Sequence, residues 1–215
     1  MTAQADHIET FAPIKWATPY LTSPNWRIRT RTRGTRSGED SDRFCRDTMS
    51  SYDGVQHWLE LYEKPAPGST TITKSVSLCK FGPGLTGFPL ICHGGAIMTI
   101  MDEALAFAMV ASEAVTAGLE VADWAEIIAQ DWRDGGLAKE GRATEEALKG
   151  YLVTAKLDMK FMKPVLCPGI VGVEVEMLEN KGHKMKMRGV MKDGEGTPLL
   201  QADGLWVRLG GAVKL

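Results

Sequence analysis

The sequence is poor in the features that mark metal sites, disulfide scaffolds, secretion and nucleic-acid binding. Its four cysteines, Cys45, Cys79, Cys92 and Cys167, lie far apart with no C-x-x-C spacing, which removes zinc knuckles and disulfide frameworks as readings. The four histidines, His7, His57, His93 and His183, are scattered too, with no H-x-x-x-H pair to set two imidazoles on one helix face. No metal and no cofactor are therefore expected. Positive and negative side chains nearly cancel, 25 against 27 with a net charge of −2, which argues against a nucleic-acid partner. No apolar run is expected to reach membrane-spanning length. The first twenty residues carry Asp6, Glu9 and two prolines where a signal peptide needs a basic start and an apolar block. A soluble, intracellular, cytoplasmic chain with no membrane partner is the expectation.

At 215 residues the chain has the size of one domain with additions. Residues 1–40 read as an N-terminal arm: breakers are frequent, yet Trp16, Tyr20, Leu21 and Trp26 can pin it to a surface. Within it Arg27, Arg29, Arg31 and Arg33 alternate with Ile28, Thr30 and Thr32, the period of a strand, and a solvated or edge strand is the expected form. The rest, 41–215, reads as one domain. Apolar residues from Phe44 to Tyr62 recur at roughly helical intervals, which predicts a helix between Ser41 and Glu63, with Gly54 as a potential break. A strand is predicted from about Thr71 to Phe81.

Gly82, Gly84 and Gly87 then fall in G-x-G-x-x-G spacing. As a dinucleotide cradle this fails on two counts. Pro83 removes a backbone N–H that would face phosphate, and Pro89 discourages a helix starting at the last glycine. The spacing predicts a plain glycine-rich loop instead. The helix is expected to begin at His93-Gly94-Gly95 and to run to about Val110 with almost no polar face, so it must be enclosed on most sides. Residues 112–150, rich in Ala, Glu and Lys, predict a helical insertion, with Trp124 and Trp132 eight apart and thus near one face. Four alternating segments follow Gly150, with hairpin chemistry at "ENKGHK" and "KDGEGT". An antiparallel sheet wrapped around one apolar helix is the economical packing.

"HGGAIMTIMDEAL", His93 to Leu105, resembles the motif of the hotdog-fold acyl-CoA thioesterases, the 4-hydroxybenzoyl-CoA and phenylacetate-pathway branch and its eukaryotic relatives. That family has H-G-G followed nine residues after the histidine by Asp or Glu. "LVTAKLDMKFMKP" and "ENKGHK" are similar to the family's later strand and hairpin. The resemblance covers about Thr71 to Leu209 outside the insertion, and it implies an α+β hotdog fold and an acyl-CoA or other acyl-thioester substrate. It implies Asp102 as general base or nucleophile, and the N–H of Gly94, with Gly95, polarising the thioester carbonyl. His93 would orient the loop or substrate, and Thr154 the water or carboxylate. It also implies a homodimer, with further pairing to tetramers.

Elementary chemistry supports these roles. A glycine pair at a helix N-terminus presents open N–H groups and the positive end of the dipole, which a developing oxyanion needs. A carboxylate in an apolar helix has its pKa raised by desolvation, which suits proton transfer near neutral pH. The alternative for Asp102 is a structural pair with a buried Arg or Lys. Glu103 points about 100° away from Asp102 and is the lesser candidate. Lys163, Lys181 and Lys184 are the candidates to meet the coenzyme's phosphates, with solvated surface charge as the plain alternative. A dehydratase would want a His about five residues from its acid, where this chain has Phe107. Dehydratase, lyase or isomerase chemistry and simple acyl-ligand binding remain the alternatives, since fold does not dictate chemistry.

Overall fold

The computed structural model describes residues 8–31, 43–121 and 149–210. Short helix α1 (Thr18–Thr22) leads into β1 (Trp26–Thr30). A π-helical turn at Phe44–Thr48 precedes β2 (Val55–Glu63) and β3 (Lys74–Phe81). Two short strands, β4 (Thr86–Phe88) and β5 (Ile91–Cys92), lead into the long helix α2 (Gly94–Thr116). Strands β6 (Leu152–Phe161), β7 (Gly169–Lys181), β8 (Lys184–Asp193) and β9 (Pro198–Arg208) complete the order. The main sheet has seven strands in the order β1-β2-β3-β7-β8-β9-β6, with every neighbouring pair antiparallel. One sheet folded over one long apolar helix is the α+β hotdog fold expected from the sequence.

Helix α2 lies on the sheet's inner face. Ala96, Ile97, Ile100, Met101, Ala104, Leu105 and Ala108 pack there with Phe81, Val173, Val175, Met187 and Trp206. Each large apolar side chain so buried contributes about 1.5–3 kcal/mol. The helix runs past the expected end at Val110 to Thr116, so by length and composition it could cross a membrane, contrary to the expectation that no run is long enough. It is instead the core helix, with eleven of its residues buried against the chain's own sheet and loops. The expected insertion at 112–150 thus begins inside α2, and its part from 122 to 148, with Trp124 and Trp132, lies outside the described residues.

The helix predicted between Ser41 and Glu63 is corrected by the structure: Val55–Glu63 is a strand. Trp58, Glu60 and Tyr62 face α2, while Leu59 and Leu61 meet Phe11, Ile14 and Ala17 from the N-terminal segment on the outer face. A strand covered on both sides is apolar on both, which hides its period of two and mimics a buried helix. That N-terminal segment is anchored by Trp16, whose Nε1 donates to Asp193 O at 2.8 Å, and by Tyr20, whose hydroxyl donates to Glu174 Oε1 at 2.6 Å. Gly82 and Gly84 serve close packing. A Cβ on either would sit 2.3 Å from Asp53 O or 2.1 Å from Tyr52 O, so the G-x-G spacing reflects a loop pressed onto the turn before β2.

Candidate functional site

His93 is the N-cap of α2: its backbone is extended, and its Nδ1 accepts the N–H of Gly95 at 3.0 Å. Among the described residues this commits Gly95's donor and leaves the Gly94 N–H as the open one beside it. A Cβ on Gly94 would meet nothing within 4 Å, so the approach to that N–H is open. Gly87 has no room for a side chain. A Cβ there would lie 2.8 Å from His93 Cα, against the backbone that sets the helix entry.

Eight residues along, Asp102 is half-buried, and its Oδ1 accepts from the Thr154 hydroxyl at 3.1 Å. The β6–β9 register shifts between Thr154 and Lys156, with Thr154 opposite Trp206 and Lys156 opposite Leu205. Ala155 is therefore a bulged residue, a device that re-aims a neighbouring side chain near functional sites. Burial pushes the Asp102 carboxyl above its ordinary value, and the Thr154 hydrogen bond pulls more weakly the other way. Asp102 and Thr154 are thus brought together, whereas Gly94 stands about 12 Å from Asp102 along the helix axis.

The structural carboxylate is the neighbour. Glu103 pairs with Arg31, which also bonds Glu60 Oε1 at 2.6 Å, and the Cys45 thiol donates to Glu103 Oε1 at 3.4 Å. Glu60 is 2% exposed. Arg29 Nε lies 2.9 Å from Glu60 Oε2, within ion-pair range though not aligned as a hydrogen bond. The arginine strand is an edge strand, as expected from its period. It is solvated only in part: Arg27 is half exposed, Arg29 and Arg31 turn inward to a buried glutamate beneath α2, and Arg33 lies outside the described residues. Sequence reasoning missed this cluster because Glu60 lies in the segment read as helix.

The three lysines do not converge. Lys181 and Lys184 are paired across the tip of the β7–β8 hairpin, by the C-terminal part of α2, where Asn180 Nδ2 donates to Ser112 Oγ at 3.0 Å. Lys163 follows β6 at the other end of α2, since Val165 O accepts from Cys92 N at 2.8 Å, just before the helix. The stretch of α2 from Gly94 to Ser112, about 27 Å at 1.5 Å per residue, separates the two places. Among the described residues no group of three or more His, Cys, Asp or Glu is placed to hold a metal ion.

A seven-stranded antiparallel sheet folded over a capped apolar helix defines a hotdog protein. The chain belongs to the thioesterase superfamily, whose family description matches residues 91–199, from the strand before His93 to the last strand of the meander. Among curated relatives, Verlamelin biosynthesis protein B of Lecanicillium sp. is 23% identical over 168 residues, 74% of this chain and 69% of that one. Among solved structures, the E. coli PaaI protein from the phenylacetic acid degradation operon is 11% identical, with a TM-score of 0.44 over 66% of this chain and 76% of that chain. A hypothetical thioesterase of Streptococcus pneumoniae TIGR4 solved with coenzyme A is 12% identical, with a TM-score of 0.43 over 63% and 77%.

Proposed function

We propose that this chain hydrolyses an acyl-CoA or acyl-carrier thioester. Asp102, with its Thr154 partner, carries the reading: it is a half-buried carboxylate within the apolar core helix, hydrogen-bonded but without a cationic partner among the described residues. As general base, Asp102 takes a proton from water while the water oxygen adds to the thioester carbonyl. The carbonyl electrons move onto oxygen, where a helix N-terminal N–H stabilises them, and collapse expels the thiolate. As nucleophile, the same carboxylate would form an anhydride that water then opens. Single turnover in oxygen-18 water identifies the nucleophile route when label enters the Asp102 carboxylate, which requires water to open the anhydride at the aspartyl carbonyl.

The carbonyl is shared between two chains in this reading. Gly94 N–H and Asp102 of one helix stand too far apart to hold one carbonyl, so Gly94 of a partner copy completes the site. Among the described residues strand β6 is an edge of the sheet, and half-exposed Met98, Phe161 and Met162 lie on α2 and at the end of that edge, surfaces suited to a second copy. His93 holds the entry to α2, and Lys163, on the Gly94 side, is the lysine placed to meet coenzyme phosphate.

Release of free thiol from a panel of acyl-CoAs tests the reading, with Asp102→Asn as control. No release from any member, with the chain folded, would sink it. The relative named as a biosynthesis protein favours a second reading, non-hydrolytic chemistry such as a dehydratase, lyase or isomerase, or acyl-ligand binding. Its mark would be an intact thioester whose acyl mass or bonding has changed, or a thioester bound without turnover.

A further inference from the structure

The outer face of the sheet, turned away from α2, is divided in two. Over β2, β3 and β7 it is apolar: Leu59, Leu61, Val76 and Leu78 are buried there, with Ile170 beside them. Over β8, β9 and β6 it carries charge, and its ion pairs reach solvent, Arg188 with Asp203, Lys186 with Glu179 and Lys156 with Asp158. The apolar half is covered by the chain's own residues 8–22. Phe11 and Ala17 have no exposed surface, and Ile14 is nearly as enclosed.

This cover is fitted to the face beneath it. The Trp16 ring fills a gap that β7 leaves at Gly172, where a Cβ would lie 2.3 Å from Trp16 Cη2. Glycine weakens a strand interior, and its place here is explained by the close approach of that ring. The Lys192 ammonium stands 5.2 Å from the Trp16 ring centroid, and the Trp16 and Tyr20 hydrogen bonds to Asp193 and Glu174 hold the segment to β7 and β8. Helix α1 within it has only five residues, too few to persist alone, so the segment takes its order from the sheet. Lifted off, it would leave four large aliphatic side chains together on one sheet face. Contiguous apolar surface beyond a few hundred Å² marks a contact site on a soluble protein. A sheet face can meet its own copy across a two-fold axis, because sheets pack face to face and a two-fold contact uses the same patch twice.

We propose that the outer face over β2, β3 and β7 is a contact surface for a second copy of this chain, and that residues 8–22 keep it closed, so that copies meet through the α2 side and not through the backs of their sheets. The proposal goes beyond the thioester reading and does not depend on the role of Asp102.

The test compares the full chain with two variants by sedimentation velocity. Phe11→Asp puts a carboxylate where it cannot stay buried, and Gly172→Ala crowds the Trp16 ring out of its gap from the sheet side. The largest species of the unaltered chain at high concentration sets the reference. Each variant, once circular dichroism and a cooperative melt show that its sheet is kept, should add a soluble species of twice that mass. Leu61→Lys in the Phe11→Asp background should remove the added species, since it charges the uncovered face. The unaltered chain supplies a second measurement that needs no variant to fold. Lys74 and Lys186, exposed on the outer face, should be acetylated at the same rate in dilute and concentrated solution, as read by mass spectrometry. Slower labelling of either lysine on concentration overturns the proposal. So do folded variants that keep the reference mass, or a larger species that survives Leu61→Lys.

Discussion

The hydroxyl of Thr154 donates to Asp102 Oδ1 across 3.1 Å, tying the beginning of an edge strand to the middle of the core helix. Fifty-two positions of sequence separate the two, and a bulge at Ala155 lies beside the contact. Burial raises the Asp102 carboxyl while this bond lowers it, so the hydroxyl opposes protonation of the group that would act as base.

Removing that bond alone should therefore be visible in pH. Thr154→Val keeps the branched shape and loses the donor, and the Asp102 carboxyl should rise further. With the ionised carboxylate as the working form, the acid limb of the kcat/KM profile should move to higher pH. A limb that stays in place in initial-rate measurements would show that the hydroxyl does not tune the working carboxylate.

Asp102→Asn should cost hydrolysis about a hundredfold or more while keeping the fold. Its effect on stability has a definite sign. Because the folded state holds the Asp102 proton more tightly than the unfolded chain, the group's favourable contribution is present below its ordinary value of 3.8 and is lost as pH rises through the folded value. At neutral pH the ionised group is a burden. The asparagine variant should accordingly melt above the wild type at neutral pH, with the gap shrinking toward about pH 4. A gap that widens in acid would contradict the raised carboxyl.

Arg31→Met should destabilise the fold by about 3 kcal/mol, because Glu60 and Glu103 lose a shared counter-charge and Glu60 is almost without solvent. Urea unfolding measures it. The loss should be nearly independent of added salt, since buried pairs are weakly screened. A change of a few tenths of a kcal/mol would mean that the cluster is a solvated surface pair after all.

Subunit mixing addresses the shared site. Asp102→Asn chains are combined with Gly94→Pro chains, the second substitution removing an N–H at a helix position that tolerates proline. After both are confirmed folded and dimeric, random exchange puts half of the chains in mixed dimers, each with one intact and one doubly damaged site. About a quarter of wild-type activity should return. Confirmed exchange with no recovery would reject a carbonyl held between two copies.

Local signals made much of this molecule readable in one dimension. The H-G-G start of α2, its apolar character, the alternation of the last four strands and their hairpin turns are each carried by residues within a turn or a strand of one another. The same local logic put Asp102 within an apolar helix and the glycines at its N-terminus. Failures came where burial is imposed from a distance. Strand β2 is buried on both faces because the N-terminal segment covers the face that α2 does not, so its spacing imitated a helix. Arg29 and Arg31 read as solvated charges until the pairing of β1 with β2 set Glu60 beside them.

By itself, then, the sequence determined that a capped apolar helix bearing the adjacent acids Asp102 and Glu103 would be packed against an antiparallel meander, because caps and periodicity act over a few residues. Tertiary structure alone decided that Thr154 would meet Asp102, and that Glu103 rather than Asp102 would take the arginine. Those outcomes depend on strand order, on a bulge of one residue and on which side chains α2 presses against, and such contacts join residues far apart in the chain, where no local pattern records them.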